Sequence, residues 1–180
     1  MEPSEAALLA RTRRAYERGR LQAALWRAVP LVPVVAWTAS WCRYPALAAV
    51  CGAALVALTV ALRWRGQVWA RAVRPGLAAG LAPLVLPFLM REASEVCVGE
   101  VCCSLCLIGC VGGGALAGVL IGRRAASLGE GRGAFLAAAG TLALLAGAPA
   151  CAFAGALGLV GLLIGFAGGT APVLLARAPA

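Results

Sequence analysis

The sequence predicts an all-α polytopic membrane protein with six transmembrane helices and both termini in the cytoplasm. Three observations carry this: long blocks without charge, the turn signals between them, and the placement of arginine. The 16 arginines and seven glutamates are the only charged side chains in 180 residues, against 62% hydrophobic residues and a mean hydropathy of +0.90. A soluble domain carries about 25% charged and 45–50% apolar residues. The excess falls in blocks long enough to cross a bilayer.

The elements follow in order. Residues 1–25 form a basic cytoplasmic helix, capped by Ser4 and started by Glu5 at its positive dipole end. Arg11, Arg14 and Arg18 share one face of it at i, i+3, i+7. That face is expected to lie on lipid headgroups, with docking to a cytoplasmic protein partner as the alternative. The transmembrane domain is residues 26–176. Its first span, 26–42, ends at Arg43; its second, 45–62, ends at Arg63. The third, 75–90, is short, holds Pro83 and Pro87, and ends at Arg91. The fourth, 101–122, ends at Arg123 and Arg124. The last apolar run, 134–176, has 43 residues, about twice what a ~30 Å hydrocarbon core needs at ~1.5 Å per residue. A turn at Ala148-Pro149-Ala150-Cys151 divides it into a fifth span, 134–150, and a sixth, 151–176, because proline disfavours helix before it. Residues 177–180 are a cytoplasmic tail.

Arginine sets the orientation. The N-terminal segment, the connections after the second and fourth spans, and the tail hold every arginine except Arg43 and Arg91. This positive-inside pattern places the chain in a bacterial inner (plasma) membrane with those segments in the cytoplasm. The Arg-rich start is too long for a signal-peptide n-region, and Thr38-Ala39-Ser40 is a poor cleavage site, so the first span is expected to stay. The net charge of +9 is read as topology and attraction to anionic lipid; nucleic-acid binding is not expected, since no basic domain exists beyond short loops.

With that topology, all eight cysteines fall in the outer half: Cys42, Cys51, Cys97, Cys102, Cys103, Cys106, Cys110 and Cys151. Cysteine also serves as a small buried hydrophobe, which is the structural alternative. Three chemical readings compete with it. Disulfides are allowed in an oxidising compartment, with Cys97 to Cys102 or Cys103, and Cys42 to Cys151, as staples. A soft-metal site would draw on Cys97, Cys102, Cys103, Cys106 and Cys110, with Glu92, Glu95 and Glu100 nearby. Thiol–disulfide exchange would use Cys103 and Cys106, a CxxC at a helix start where the dipole lowers a thiol pKa.

From Cys102 the fourth span continues in steps of four through Cys106 and Cys110 to Gly114, Gly118 and Gly122. The sixth span carries a matching ladder of Gly161, Gly165 and Gly169, and the third carries Gly76 and Gly80. Such small-residue ladders let two backbones approach closely in lipid. The absence of His, Lys, Asp and Asn removes most acid–base, Schiff-base and zinc-hydrolase chemistry. No charged side chain sits in the interior of a predicted span, which argues against proton-coupled transport.

The Cys103–Cys106 placement resembles periplasm-facing membrane thiol oxidases of the disulfide-bond-forming and vitamin-K-epoxide-reductase types, whose core has four helices rather than six. That resemblance implies exchange of electrons with a lipid quinone, with Cys97 or Cys42 as a loop partner. The six-span layout with a cytoplasmic N-terminal segment also resembles membrane-embedded anti-sigma regulators, in architecture alone. The functional expectation is a non-enzymatic sensor or regulator that answers to redox state or a soft metal through its outer cysteines. A CxxC oxidoreductase and a structural subunit with packing cysteines are the alternatives.

Overall fold

The computed structural model describes residues 3–41, 45–93, 100–128, 130–152 and 155–176. Among these there are seven helices and no strand: α1 (Pro3–Ala28), α2 (Leu31–Trp41), α3 (Pro45–Arg65), α4 (Gln67–Ala93), α5 (Glu100–Ala126), α6 (Arg132–Cys151) and α7 (Gly155–Leu175). Four are long and apolar enough to cross a membrane: Pro45–Arg65, Cys106–Ala126, Arg132–Cys151 and Gly155–Leu175. A fifth is gained if the bent pair α1 and α2 counts as one crossing. The protein is therefore all-helical and built for a membrane.

Three boundaries differ from the sequence expectation. The predicted division at residue 25 falls inside α1, and the break comes instead at Val29 and Pro30. Pro30 has no N–H and crowds the turn before it, so α1 stops and α2 restarts at 42° to it. With 11 residues, α2 covers only about 16 Å, half a hydrocarbon core; a crossing there needs the end of α1 as well. Next, α4 has 27 residues and keeps Pro75, Pro83 and Pro87 inside the helix, well beyond the expected 75–90. It starts directly after Gly66, whose left-handed φ of 71° turns the chain out of α3. Finally, α6 runs through Pro149 to Cys151, and α7 starts at Gly155 with a left-handed φ of 70°. A proline in the last turn removes one hydrogen bond without ending the helix; Gly155 supplies the conformation that a bulkier residue resists.

Backbone approaches at glycine define the bundle. Gly76 and Gly80 of α4 meet Ala139 and Ala143 of α6, so these two helices run parallel. Gly109 and Gly113 of α5 meet Pro87 and Pro83 of α4, so α5 runs antiparallel to α4. Gly114, Gly118 and Gly122 of α5 face Leu162, Phe166 and Thr170 of α7, and Gly165 and Gly169 of α7 face Val111 and Ala115 of α5, a parallel pair. α5 and α6 are the more buried of the four apolar helices, with α3 and α7 outside them.

Side-chain size is sorted inside out. Much of the core is alanine, including Ala72, Ala79, Ala117, Ala138, Ala139 and Ala143, while Leu81, Leu116, Leu120, Leu157, Leu163 and Ile164 are exposed. In water, exposed apolar surface of this extent would be an association hazard. In lipid it costs nothing, and small residues inside are what lets helices touch.

Candidate functional site

The site is built from three helices that meet at Pro83 of α4. A Cβ on Gly113 of α5 would fall 2.6 Å from Pro83 Cα, and one on Gly147 of α6 would fall 2.7 Å from Pro83 Cβ. Only glycine on both neighbours lets the pyrrolidine ring sit at this depth, where it is fully buried. Pro83 is followed four residues later by Pro87, which has no N–H to give. The carbonyl of Pro83 therefore loses its helical donor at a fully buried position.

Cys151, one turn beyond Gly147 on α6, supplies a partial replacement. Its Sγ donates to the Pro83 carbonyl oxygen at 4.0 Å, a long and weak thiol contact. Cys110 of α5 belongs to the same small buried cluster as Cys151. Both side chains have zero solvent exposure. They are enclosed by Leu162 of α7 and flanked by Leu144 and Leu159. Cys106, one turn earlier on the same face of α5, is half-buried. The result is a thiol pair bridging α5 and α6, with a third thiol toward the end of the bundle. Leu159, which packs against this cluster, also walls an apolar cleft of about 600 Å³ together with Pro45, Ala152 and Ala156.

The expected site residues are placed as follows. Cys42, Cys97 and Glu95 lie outside the described residues. Glu100, Cys102 and Cys103 are on the first turn of α5 by backbone. Cys110 and Cys151 come together, with Cys106 one turn before Cys110 on α5, while the expected pairing of Cys151 with Cys42 lies outside the described residues. Cys51, toward the start of α3, is outside this group. Among the described residues no group of three or more Cys or Glu side chains is arranged to hold a metal ion. Gly114, Gly118 and Gly122 on α5, and Gly161, Gly165 and Gly169 on α7, lie in the contact between those two helices. Arg11, Arg14 and Arg18 are all exposed on α1.

At the opposite end of the bundle the arginines gather. Arg20 of α1 donates to the backbone carbonyl of Trp64, and Arg132 donates to the carbonyls of Ala125 at 3.2 Å and Ala126 at 3.4 Å. Each caps orphan carbonyls at the negative end of a helix, α3 and α5 in turn. Arg27 and Arg74 both lie within electrostatic range of Arg63, whose Nε is buried with no hydrogen-bond partner among the described residues.

Two features escaped sequence reading. One is the role of Pro83, although a proline pair at i and i+4 does announce an orphan carbonyl. The other is the meeting of Cys110 with Cys151, which are 41 positions apart and carry no local signal.

Comparison with protein-family models, with curated proteins and with solved structures finds no match to this chain.

Proposed function

We propose that this chain is a six-span inner-membrane protein, with both termini in the cytoplasm, that acts as a redox-responsive regulator through Cys110 and Cys151. The observation that carries the reading is the burial of those two thiols, from different helices, in one small cluster at the Pro83 junction. The crossings are α1 with α2, then α3, α4, α5, α6 and α7. α4 is included because it has no charge from Pro75 to Met90 and lies against α5 and α6 along its length, so it shares their depth. The arginine-rich end is assigned to the cytoplasm by the positive-inside rule, which leaves the cysteine end facing out.

The chemistry is a two-electron switch. The two thiols give one disulfide, and both hydrogens with their electrons pass to an oxidant of the lipid-quinone class, which leaves as quinol. The apolar cleft beside Leu159 offers such a molecule an approach from the bilayer. Oxidation removes the S–H that Cys151 gives to Pro83 and ties α5 to α6 covalently, so the packing of α4 between them shifts. Arg20 links α1 to the far end of α3, the route by which the basic N-terminal helix reports inside. A second reading is a structural subunit: the contact to the Pro83 carbonyl is by itself a reason to hold a buried thiol at position 151.

One experiment separates them. Membranes are treated with a short-chain quinone, quenched with a maleimide, digested without reductant and analysed by mass spectrometry. A cross-linked peptide pair containing Cys110 and Cys151, reversed by dithiothreitol, supports the switch. Full alkylation of both thiols after unfolding, with and without oxidant, leaves the structural reading. Reporter fusions at residues 66, 96 and 128 test the threading: only the fusion at 96 should be exported.

A further inference from the structure

We infer that the arginine end of the bundle carries a binding site for an anionic phospholipid, with a two-phosphate headgroup of the cardiolipin class preferred over single-phosphate headgroups. A groove of about 530 Å³ opens there between the start of α4, the end of α5 and the start of α6. Arg71, Arg74 and Arg124 line its polar part, and Leu128 and Phe135 its apolar part. The three guanidinium groups come from two helices whose connections converge only in the folded bundle. Among the described residues no carboxylate pairs with any of them; the ion pair present is Arg13 with Glu17 on α1. Arg63, within electrostatic range of Arg74 and Arg27, adds like charge. Such a cluster costs self-repulsion, and an anion in the groove relieves it. Guanidinium groups also bind phosphate through paired donors.

The occupant is a lipid because the groove does not end in water. The exposed stripe of α4 begins with Arg71 and Arg74 and continues through Ala78, Leu81, Val85 and Leu89, at helical steps of three and four. Leu81, Val85 and Leu89 are exposed by 55%, 43% and 57%. Charge at the headgroup level is thus followed by an apolar lane at acyl depth on one continuous face. Three cations exceed what a single phosphate neutralises, and basic pockets between spans on the cytoplasmic side suit two-phosphate headgroups. This rests on the membrane placement of the helices and is independent of the thiol pair.

The test uses the full-length protein in detergent, titrated with a cardiolipin-class lipid, with phosphatidylglycerol and with phosphatidylcholine, and read by native mass spectrometry. The variants are R71Q/R74Q/R124Q in the groove and R11Q/R14Q/R18Q on α1. The groove variant should lose about tenfold or more in affinity for the two-phosphate lipid, with the α1 variant and the phosphatidylcholine arm unchanged. Equal loss in both variants, or none in the groove variant, overturns the site. Full competition by millimolar inorganic phosphate overturns the lipid as its occupant. Should the groove variant fail to fold, a two-phosphate lipid with a headgroup diazirine is photolysed on the wild type: labelling of the peptides carrying Leu128 and Phe135 supports the site, and labelling confined to α1 overturns it. Reporter fusions decide the threading separately, so a failure of lipid binding and a failure of the membrane topology give different results.

Discussion

Gly168 and Gly169 are adjacent on α7, and the same substitution at each should have opposite effects. Gly169 is buried, and a Cβ there would stand 2.9 Å from the carbonyl carbon and 3.0 Å from Cα of Ala115 on α5, with the carbonyl oxygen nearer still. Normal carbon contacts lie at about 3.5–4.0 Å, so α5 and α7 must part by roughly 0.5–1 Å, a gap that forfeits a quarter to a half of each contact's attraction. These atoms are backbone and cannot rotate away. Gly169→Ala should therefore destabilise by about 1–3 kcal/mol, the usual range for overpacking. A Cβ on Gly168 meets nothing within 4 Å among the described residues. Gly168→Ala should be neutral or stabilise by up to about 1 kcal/mol through helix propensity. The difference between neighbours is then about 1–4 kcal/mol by those two terms. It is measured by reversible unfolding in mixed micelles with rising dodecyl sulfate, followed by circular dichroism. Equal effects at the two positions, or a neutral Gly169→Ala, would refute close backbone packing between α5 and α7.

Two further outcomes follow from unmet polar groups. Thr59 is 1% exposed and its hydroxyl has no hydrogen-bond partner among the described residues, so Thr59→Val, which keeps the shape, should raise stability by about 1 kcal/mol in the same unfolding assay. Pro87→Ala restores an N–H that can serve the Pro83 carbonyl, so Cys151→Ala should be less damaging in that background than in the wild type. A double-mutant cycle should return a coupling of at least about 0.5 kcal/mol, and strict additivity would show that the thiol does not serve that carbonyl.

Much of the helical content was legible in the chain because charge-free length is a local property. The spans at 45–62, 101–122 and 134–150 match α3, α5 and α6 to within a few residues, apart from the extra turns at their charged ends. Proline was the weak point. Pro30 broke a predicted span, whereas Pro75, Pro83, Pro87 and Pro149 were absorbed into helices. One lost hydrogen bond ends a helix only where no neighbouring helix holds the segment in place, and packing is not written locally. The same limit applies to the cysteines. Their presence around Cys106 and Cys110 was evident, while the choice of Cys151 as neighbour depended on α6 standing against α5.

Composition and the order of residues alone determined that this is a helical protein suited to lipid, where its arginines cluster along the chain, and which faces carry glycine. These are properties of single segments, set by transfer free energy and by a 3.6-residue period. Only the tertiary structure decided that Pro83 sits between Gly113 and Gly147, that Cys110 meets Cys151, and that Arg71, Arg74 and Arg124 share a groove. Each depends on which helices lie side by side, and that choice turns on shape matching between surfaces of nearly equal hydrophobicity, which no segment encodes by itself.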